Sequence, residues 1–244
     1  MNNSYSALGA WFEYLNKDCD YEKWSQYLVN ALKAYGAGSF GIDIGCGNGY
    51  FTRALNRAGY RVSGADISVP MLNKAKQISA AEGVKTEFLL ADITKLKLPS
   101  KVDFAVAIND CLNYVPQNKL TTAFKRVNAC LKKGGLFIFD ISTPYKLQNI
   151  IGSNLFAEDG EKITYLWFNT LFSDRVEMDI TLFERRLDGT YVRTDEQQTQ
   201  FIHDEKTVTQ SLLGAGFCVI KTEGHLGAEV CGTTQRLNFI CKKV

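Results

Sequence analysis

The chain has 244 residues, 45% of them apolar and 12% aromatic, and a formal net charge of +2. That length can bury the core of an α/β domain, while the small charge offers no strong attraction to nucleic acid or an anionic membrane, and no run approaches the ~20 apolar residues of a membrane span. Seven cysteines without a C-x-x-C pair, two histidines (His203 and His225) away from any ligand spacing and no secretion signal exclude a disulfide framework and a metal site, and point to a cytoplasmic protein.

Residues 1–36 read as an aromatic, helical cap carrying Tyr5, Trp11, Phe12, Tyr14, Tyr21, Trp24 and Tyr27. Leu28, Leu32 and Tyr35 extend a helical stripe from Trp24, so most of these rings are expected to pack the segment onto the rest of the chain. Phe40, Ile42 and Ile44 alternate as a strand does, and a helical pattern opens at Tyr50. Between them stand Asp43 and three glycines at alternate positions, Gly45, Gly47 and Gly49, with Cys46 inside the turn. A strand, a glycine turn and a helix let backbone N–H groups approach a ligand without side chains intervening.

Residues 61–67 form a second short strand that ends in Asp66, where nucleotide folds place an acid on the ribose hydroxyls. Ser68 and Pro70 then start a helix as its cap and first turn. A third strand spans 84–92 and ends at Asp92. A fourth, apolar strand spans 101–108, followed by Asn109, Asp110, Asn113 and Tyr114. The spacing predicts a helix over 117–133 stopped by Gly134 and Gly135, and a fifth strand over 136–141. Asp110 and Asn113 are equally suited to helix capping.

From residue 144 the α/β alternation stops. Residues 163–168, 175–183 and 191–201 alternate like antiparallel strands, with an Asp188-Gly189 hairpin between the last two. A helix over 205–215, a strand over 217–222 and a final strand over 237–242 resume the first pattern.

The spacing Asp43-x-Gly45-x-Gly47-x-Gly49 resembles motif I of the class I S-adenosylmethionine (SAM) dependent methyltransferases, and the strand-end acids occur in that family's order. Tyr50 stands where a dinucleotide fingerprint wants glycine. The resemblance implies a Rossmann-like sheet, mostly parallel with its last strand antiparallel, in a SAM-binding α/β domain of residues 37–143 and 204–244. An antiparallel insertion of residues 144–203 follows the fifth strand as a lid. It further implies that Asp43, Gly45, Cys46, Gly47, Asp66, Ile67, Met71, Asp92, Ile93 and Asn109 hold SAM. In this reading Ile67 and Met71 flank the adenine, while Asp92 and the Ile93 amide meet its edge. Tyr14, Tyr21 and Trp24 would lie over the cofactor, since aromatic faces attract a sulfonium.

Asp110, Asn113 and Tyr114 fall where these enzymes place the groups nearest the transferred methyl. Trp167, Arg185, Tyr191, Arg193 and Gln200 are the lid candidates for substrate contact. The inserted sheet and aromatic cap resemble the glycine and sugar-amine N-methyltransferases, although Tyr114 replaces the histidine that the sugar-amine enzymes carry after the fourth strand. The expected reaction is therefore methyl transfer from SAM, without a metal, to a small-molecule acceptor, an amine by preference, in a monomer or homodimer. Other readings are an RNA methyltransferase, an NAD(P)-dependent reductase and a non-catalytic SAM-binding protein. The lysines at 85, 95, 97 and 101 lack the stacking aromatics that RNA binding would use, so nucleic acid is not an expected partner.

Overall fold

The computed structural model describes residues 11, 14–16 and 19–244; Tyr5 and Phe12 of the aromatic cap lie outside the described residues. The first helix, α1 (Tyr21–Ala34), is capped by Asp20, whose carboxylate accepts from the Lys23 amide, and it buries Trp24, Leu28, Ala31 and Leu32. Three strand and helix pairs follow: β1 (Phe40–Ile44) with α2 (Tyr50–Arg57), β2 (Arg61–Asp66) with α3 (Val69–Ala81), and the short β3 (Phe88–Leu90). Next come β4 (Val102–Ala107), α4 (Gln117–Cys130) and β5 (Leu131–Ser142). After four antiparallel strands, β6 (Leu155–Asp159), β7 (Ile163–Leu171), β8 (Arg175–Arg185) and β9 (Tyr191–Phe201), the chain closes with α5 (Glu205–Leu213), β10 (Phe217–Gly224) and β11 (Arg236–Lys243).

Seven strands form one sheet in the order β3-β2-β1-β4-β5-β11-β10, and β6-β7-β8-β9 form a second. Strands β1 to β5 pair in parallel, whereas β11 runs antiparallel to both neighbours, β5 and β10. The predicted mostly parallel sheet with an antiparallel last strand is thus observed, as is the antiparallel sheet inserted after β5.

Alternation along β5 sorts the core onto two faces. Phe137 and Phe139 join Phe124 of α4 and Phe217 and Phe239 on one side, with Phe139 stacked on its register partner Phe239 at 4.9 Å. Leu136 and Ile138 join Trp24, Leu28, Leu32, Phe51 and Phe104 on the other, under α1 and α2. Each buried aromatic or aliphatic side chain of this kind contributes roughly 1.5–3 kcal/mol by leaving water.

Three boundaries differ from expectation. Helix α4 stops at Cys130 and β5 begins at Leu131, because the basic-glycine segment is an irregularity of the strand. Pairing with β4 jumps from Val102↔Leu131 to Phe104↔Leu136, Gly134 takes φ +74°, and Lys132 Nζ ties the excursion to Asp103 at 2.7 Å. Strand β3 keeps only three residues of the predicted nine. Strand β6 escaped prediction because it is a largely exposed edge with no alternation for burial to impose. Among the described residues no helix is long and apolar enough to cross a membrane.

Candidate active site

The carboxyl ends of the parallel strands face the second sheet across a cleft of about 1180 Å³, the place where open α/β sheets bind ligands. The floor begins with the glycine turn. Gly45 and Gly47 take φ +70° and +54°, and the Gly45 and Cys46 amides both donate to Ala65 O, at 2.7 and 3.0 Å. A side chain at Gly45 would also collide with Cys111 Sγ, so the turn is shaped by packing against the next strand end as well as by backbone freedom. Asp66 locks it: one carboxylate oxygen accepts from the Gly47 amide and the other from the Ser68 amide, both at 2.8 Å. Burial pushes the Asp66 carboxyl up against the opposing pull of these amides. Each oxygen retains a lone pair for a further donor.

Gly45, Cys46, Gly47, Asp66, Ile67, Met71, Asp92, Ile93 and Asn109 all line the cleft, together with Tyr21 and Trp24 of the cap. One oxygen of Asp92 is taken by the Thr94 amide and hydroxyl, each at 2.8 Å. Two predicted cofactor residues lie elsewhere. Asp43 is buried beneath the turn and accepts from Thr52 Oγ1 at 2.6 Å, pinning α2 to β1, and burial raises its carboxyl to about 7. Tyr14 packs on the second sheet beside Ile163 and Ile180 and donates to Glu158 at 2.6 Å.

After β4 the chain makes a turn that sequence reasoning did not foresee. Asn109 and Asp110 take consecutive left-handed conformations, φ 65° and 66°, at a cost of order 1–3 kcal/mol each. Asp140, fully buried in β5, offsets that cost by accepting from both amides, at 2.7 and 3.1 Å. Arg236 at the head of β11 bridges the acids: its guanidinium bonds Asp140 and lies 3.0 Å from Asp110, and it rests 5.9 Å from the Trp24 ring. Lys146 approaches Asp110 at 3.8 Å and Ser142 Oγ donates to it at 2.7 Å. Burial alone would raise both carboxyls. The charges of Arg236 and then Lys146 hold Asp110 below its ordinary range, while Asp140 stays raised by burial.

These partners bear on two catalytic expectations. Asp110 lines the cleft, but its carboxylate is committed to a buried ionic cluster and is too acidic for a good base. Asn113 does not line the cleft; it donates to Ser142 O and Phe201 O and accepts from the Ser142 amide, fastening the segment after β4 to the ends of β5 and β9. Tyr114 does line it and donates to Gln198 Oε1 at 2.9 Å, and Gln198 Nε2 donates to Glu196 at 3.2 Å.

The second sheet supplies the opposite wall through Phe156, Tyr165, Trp167, Met178, Gln198 and Gln200, among others. Arg185, Tyr191 and Arg193 are corrected by position, since they stand near the exposed hairpin and away from the cleft. Arg193 pairs with Asp195 at 2.9 Å, and Tyr191 is 56% exposed. Sequence reasoning missed Asp140, Lys146, His225 and Arg236. Only Asp140 left a signal, an acid inside the apolar run of β5. His225, 5.2 Å from the Trp24 ring, is held below its ordinary range by partial burial and by the charges of Arg236 and Lys146. Among the described residues no group of three or more His, Cys, Asp or Glu could hold a metal ion.

Comparison with known proteins agrees with this geometry. A family profile described as "Methyltransferase domain" matches residues 42–135. A protein of Geobacillus sp. (strain WCH70) designated a methyltransferase is 30% identical over 98% of this chain and 100% of its own length. The crystal structure of an S-adenosylmethionine-dependent methyltransferase from Clostridium acetobutylicum superposes with a TM-score of 0.90 at 28% identity, covering 96% of both chains. The sugar N-methyltransferase KedS8 from Streptoalloteichus shares the fold, with a TM-score of 0.79 at 15% identity over 94% of this chain and 90% of that one.

Proposed function

Since the chain belongs to the class I S-adenosylmethionine-dependent methyltransferases, we propose that its cleft holds SAM along the ends of β1 to β4 and that the second sheet is a lid enclosing a small-molecule acceptor. The observation that carries this reading is the division of the cleft. The glycine turn, Asp66 and Asp92 line one wall, and uncharged side chains of the second sheet line the other.

The residues present fit the cofactor's chemistry. The half-used carboxylate of Asp66 suits a pair of ribose hydroxyls, and Asp92 has a second oxygen for an amino group. Ile67, Met71 and Ile93 provide apolar surface beside them for a flat base. Tyr21 and Trp24 bring aromatic faces to the end of the cleft where a cation would lie. SAM, when bound, supplies a methyl group on a positively charged sulfur. The chain then has to align an acceptor in line with that methyl and keep water away, which accounts for much of the rate in such displacements. Tyr114 and the lid side chains do the aligning. A neutral nitrogen needs no base. For an acceptor that must shed a proton, His225 lines the cleft in its neutral form.

The small-molecule reading is favoured over RNA because no basic side chain of the second-sheet strands lines the cleft, and Lys146 and Arg236, which do line it, are engaged with Asp110. The full chain should bind SAM and S-adenosylhomocysteine in a calorimetric titration and leave NADPH unbound. Binding of NADPH in place of SAM would overturn the assignment.

A further inference from the structure

The segment that carries the chain from β5 into the second sheet is a short π-helix, Lys146–Ile151, a rare geometry that is frequent at functional sites. Its first residue, Lys146, lines the cleft with 21% of its side chain exposed. Thr143 fixes it there. The Thr143 hydroxyl accepts from the Lys146 amide at 3.2 Å and donates to Thr234 O at 2.6 Å, and the Thr143 amide donates to Gln235 O at 3.0 Å. One buried residue thereby clasps the π-helix to the loop before β11, and Gln235 of that loop lines the same cleft.

The Lys146 ammonium is only partly used inside the protein. Its ion pair with Asp110 is 3.8 Å long, beyond hydrogen-bond distance. The Asp110 oxygens are already taken: one accepts from Ser142 Oγ at 2.7 Å and the other from Arg236 Nη2 at 3.1 Å. Arg236 also bonds Asp140, so the guanidinium by itself ties the two acids together. Among the described residues Lys146 Nζ has no hydrogen-bond partner, and its three N–H donors are left for a ligand. Burial, together with the charge of Arg236, holds the ammonium below its ordinary range despite Asp110, so an added negative charge would relieve it.

Apolar surface borders this cation. Ile150 and Ile151, at the far end of the same π-helix, line the cleft beside Phe156, and Ile150 and Phe156 are each 37% exposed. A charge pair strengthens where such surface displaces water. Lys146 also stands beyond the ends of β1 to β4, for its neighbour Leu147 packs on Val176 and Met178 of β8.

We propose that Lys146 anchors a carboxylate on the methyl acceptor, with the Gln235 side-chain amide as a second donor and Ile150, Ile151 and Phe156 against the acceptor's apolar body. The substrate class is a small aryl or alkyl carboxylic acid that also bears the nucleophile. This deepens the methyltransferase reading and rests on it. A carboxylate suits the position better than a phosphate, whose second charge would face Asp110 while Arg236 is already committed. The methionine carboxylate of SAM has the same chemistry, and the test separates the two sources.

The test uses the full chain, free and loaded with S-adenosylhomocysteine, and titrates phenylacetate and hexanoate beside phenylacetamide and hexanamide by ligand-observed NMR. Each carboxylate should bind at least about 10-fold more tightly than its amide, the effect of a charge-assisted hydrogen bond. Lys146→Gln should abolish that preference and Lys146→Arg should retain it. Affinity for S-adenosylhomocysteine and for methylthioadenosine, which lacks the carboxylate, should stay within about 2-fold in both variants. Equal binding of acid and amide overturns the proposal. An acid preference that survives in Lys146→Gln, with a lowered melting temperature, overturns it too and makes Lys146 a support for Asp110. So does a Lys146→Gln loss of affinity for S-adenosylhomocysteine but not for methylthioadenosine, which assigns the ammonium to the cofactor's carboxylate. Failure of the unaltered chain to bind S-adenosylhomocysteine would instead overturn the cofactor reading, and the acid–amide comparison on the free chain would still decide the role of Lys146.

Discussion

Asp66 does two jobs with one carboxylate, and they predict a compound effect. Its oxygens hold the Gly47 and Ser68 amides, and the same oxygens face the cleft. Charge-assisted bonds of this kind contribute about 1.5–3 kcal/mol each, so Asp66→Ala should weaken SAM binding by at least ~10-fold in calorimetry. A folded Asp66→Ala protein with unchanged affinity would remove the residue from the site. Asp43 behaves differently, because burial raises its carboxyl to about 7. The native state keeps that proton between about pH 4 and 7, where the unfolded chain has released it. Stability should therefore fall by up to about 1.4 kcal/mol per pH unit across that window and level off above it. Asp43→Asn, which can still accept from Thr52, should flatten the slope in urea unfolding measured at pH 5 and pH 8. The same slope in both proteins would mean that Asp43 is ionised in the fold.

At the scale of elements, the second sheet is tied to the core by Tyr114 to Gln198 and by Asn113 to Phe201 O. Tyr114→Phe cuts the first and leaves the ring. Methyl transfer to the acceptor should drop about 10-fold or more through lost positioning, while SAM affinity stays within about 2-fold. Arg193→Ala, at the exposed hairpin, should move neither quantity. A large loss of turnover in Arg193→Ala would place the acceptor at the far end of β8 and β9. Here the limits of the sequence are physical. Alternation announced three strands of the second sheet, but it could not say which of their side chains a cleft would reach, because that depends on how the sheet sits over the core. Trp167 and Gln200 were singled out beside Arg185, Tyr191 and Arg193 on equal terms, and only tertiary placement separated them. The wall proposed for the cofactor was far more legible, because a strand, its turn and its terminal acid are neighbours in the chain.

Over the whole molecule, the least legible feature is the ionic floor. Asp110, Asp140 and Arg236 are brought together by the pairing of β11 with β5 and β4 with β5, which no local pattern encodes. Arg236→Met should destabilise the protein by about 3–5 kcal/mol at neutral pH, since two buried carboxylates would lose their common cation. The deficit should shrink on acidification, because without Arg236 both carboxyls titrate above their unfolded values and the native state takes up protons first. Urea unfolding of both proteins at pH 5 and pH 7.5 measures this. A deficit that stays constant with pH would mean the guanidinium acts by packing alone.

The guanidinium that separates those two acids arrives on the strand farthest along the chain. A polypeptide still short of residue 236 already contains the glycine turn, Asp66 and Asp92. There Asp140 still accepts from the left-handed pair at Asn109 and Asp110, but among the described residues the only cation near the two acids is Lys146, 3.8 Å from Asp110, until Arg236 joins them. The charge balance of the floor is thus completed by a residue from the opposite end of the chain, so the last strand of the fold and the turn after β4 form one electrostatic unit.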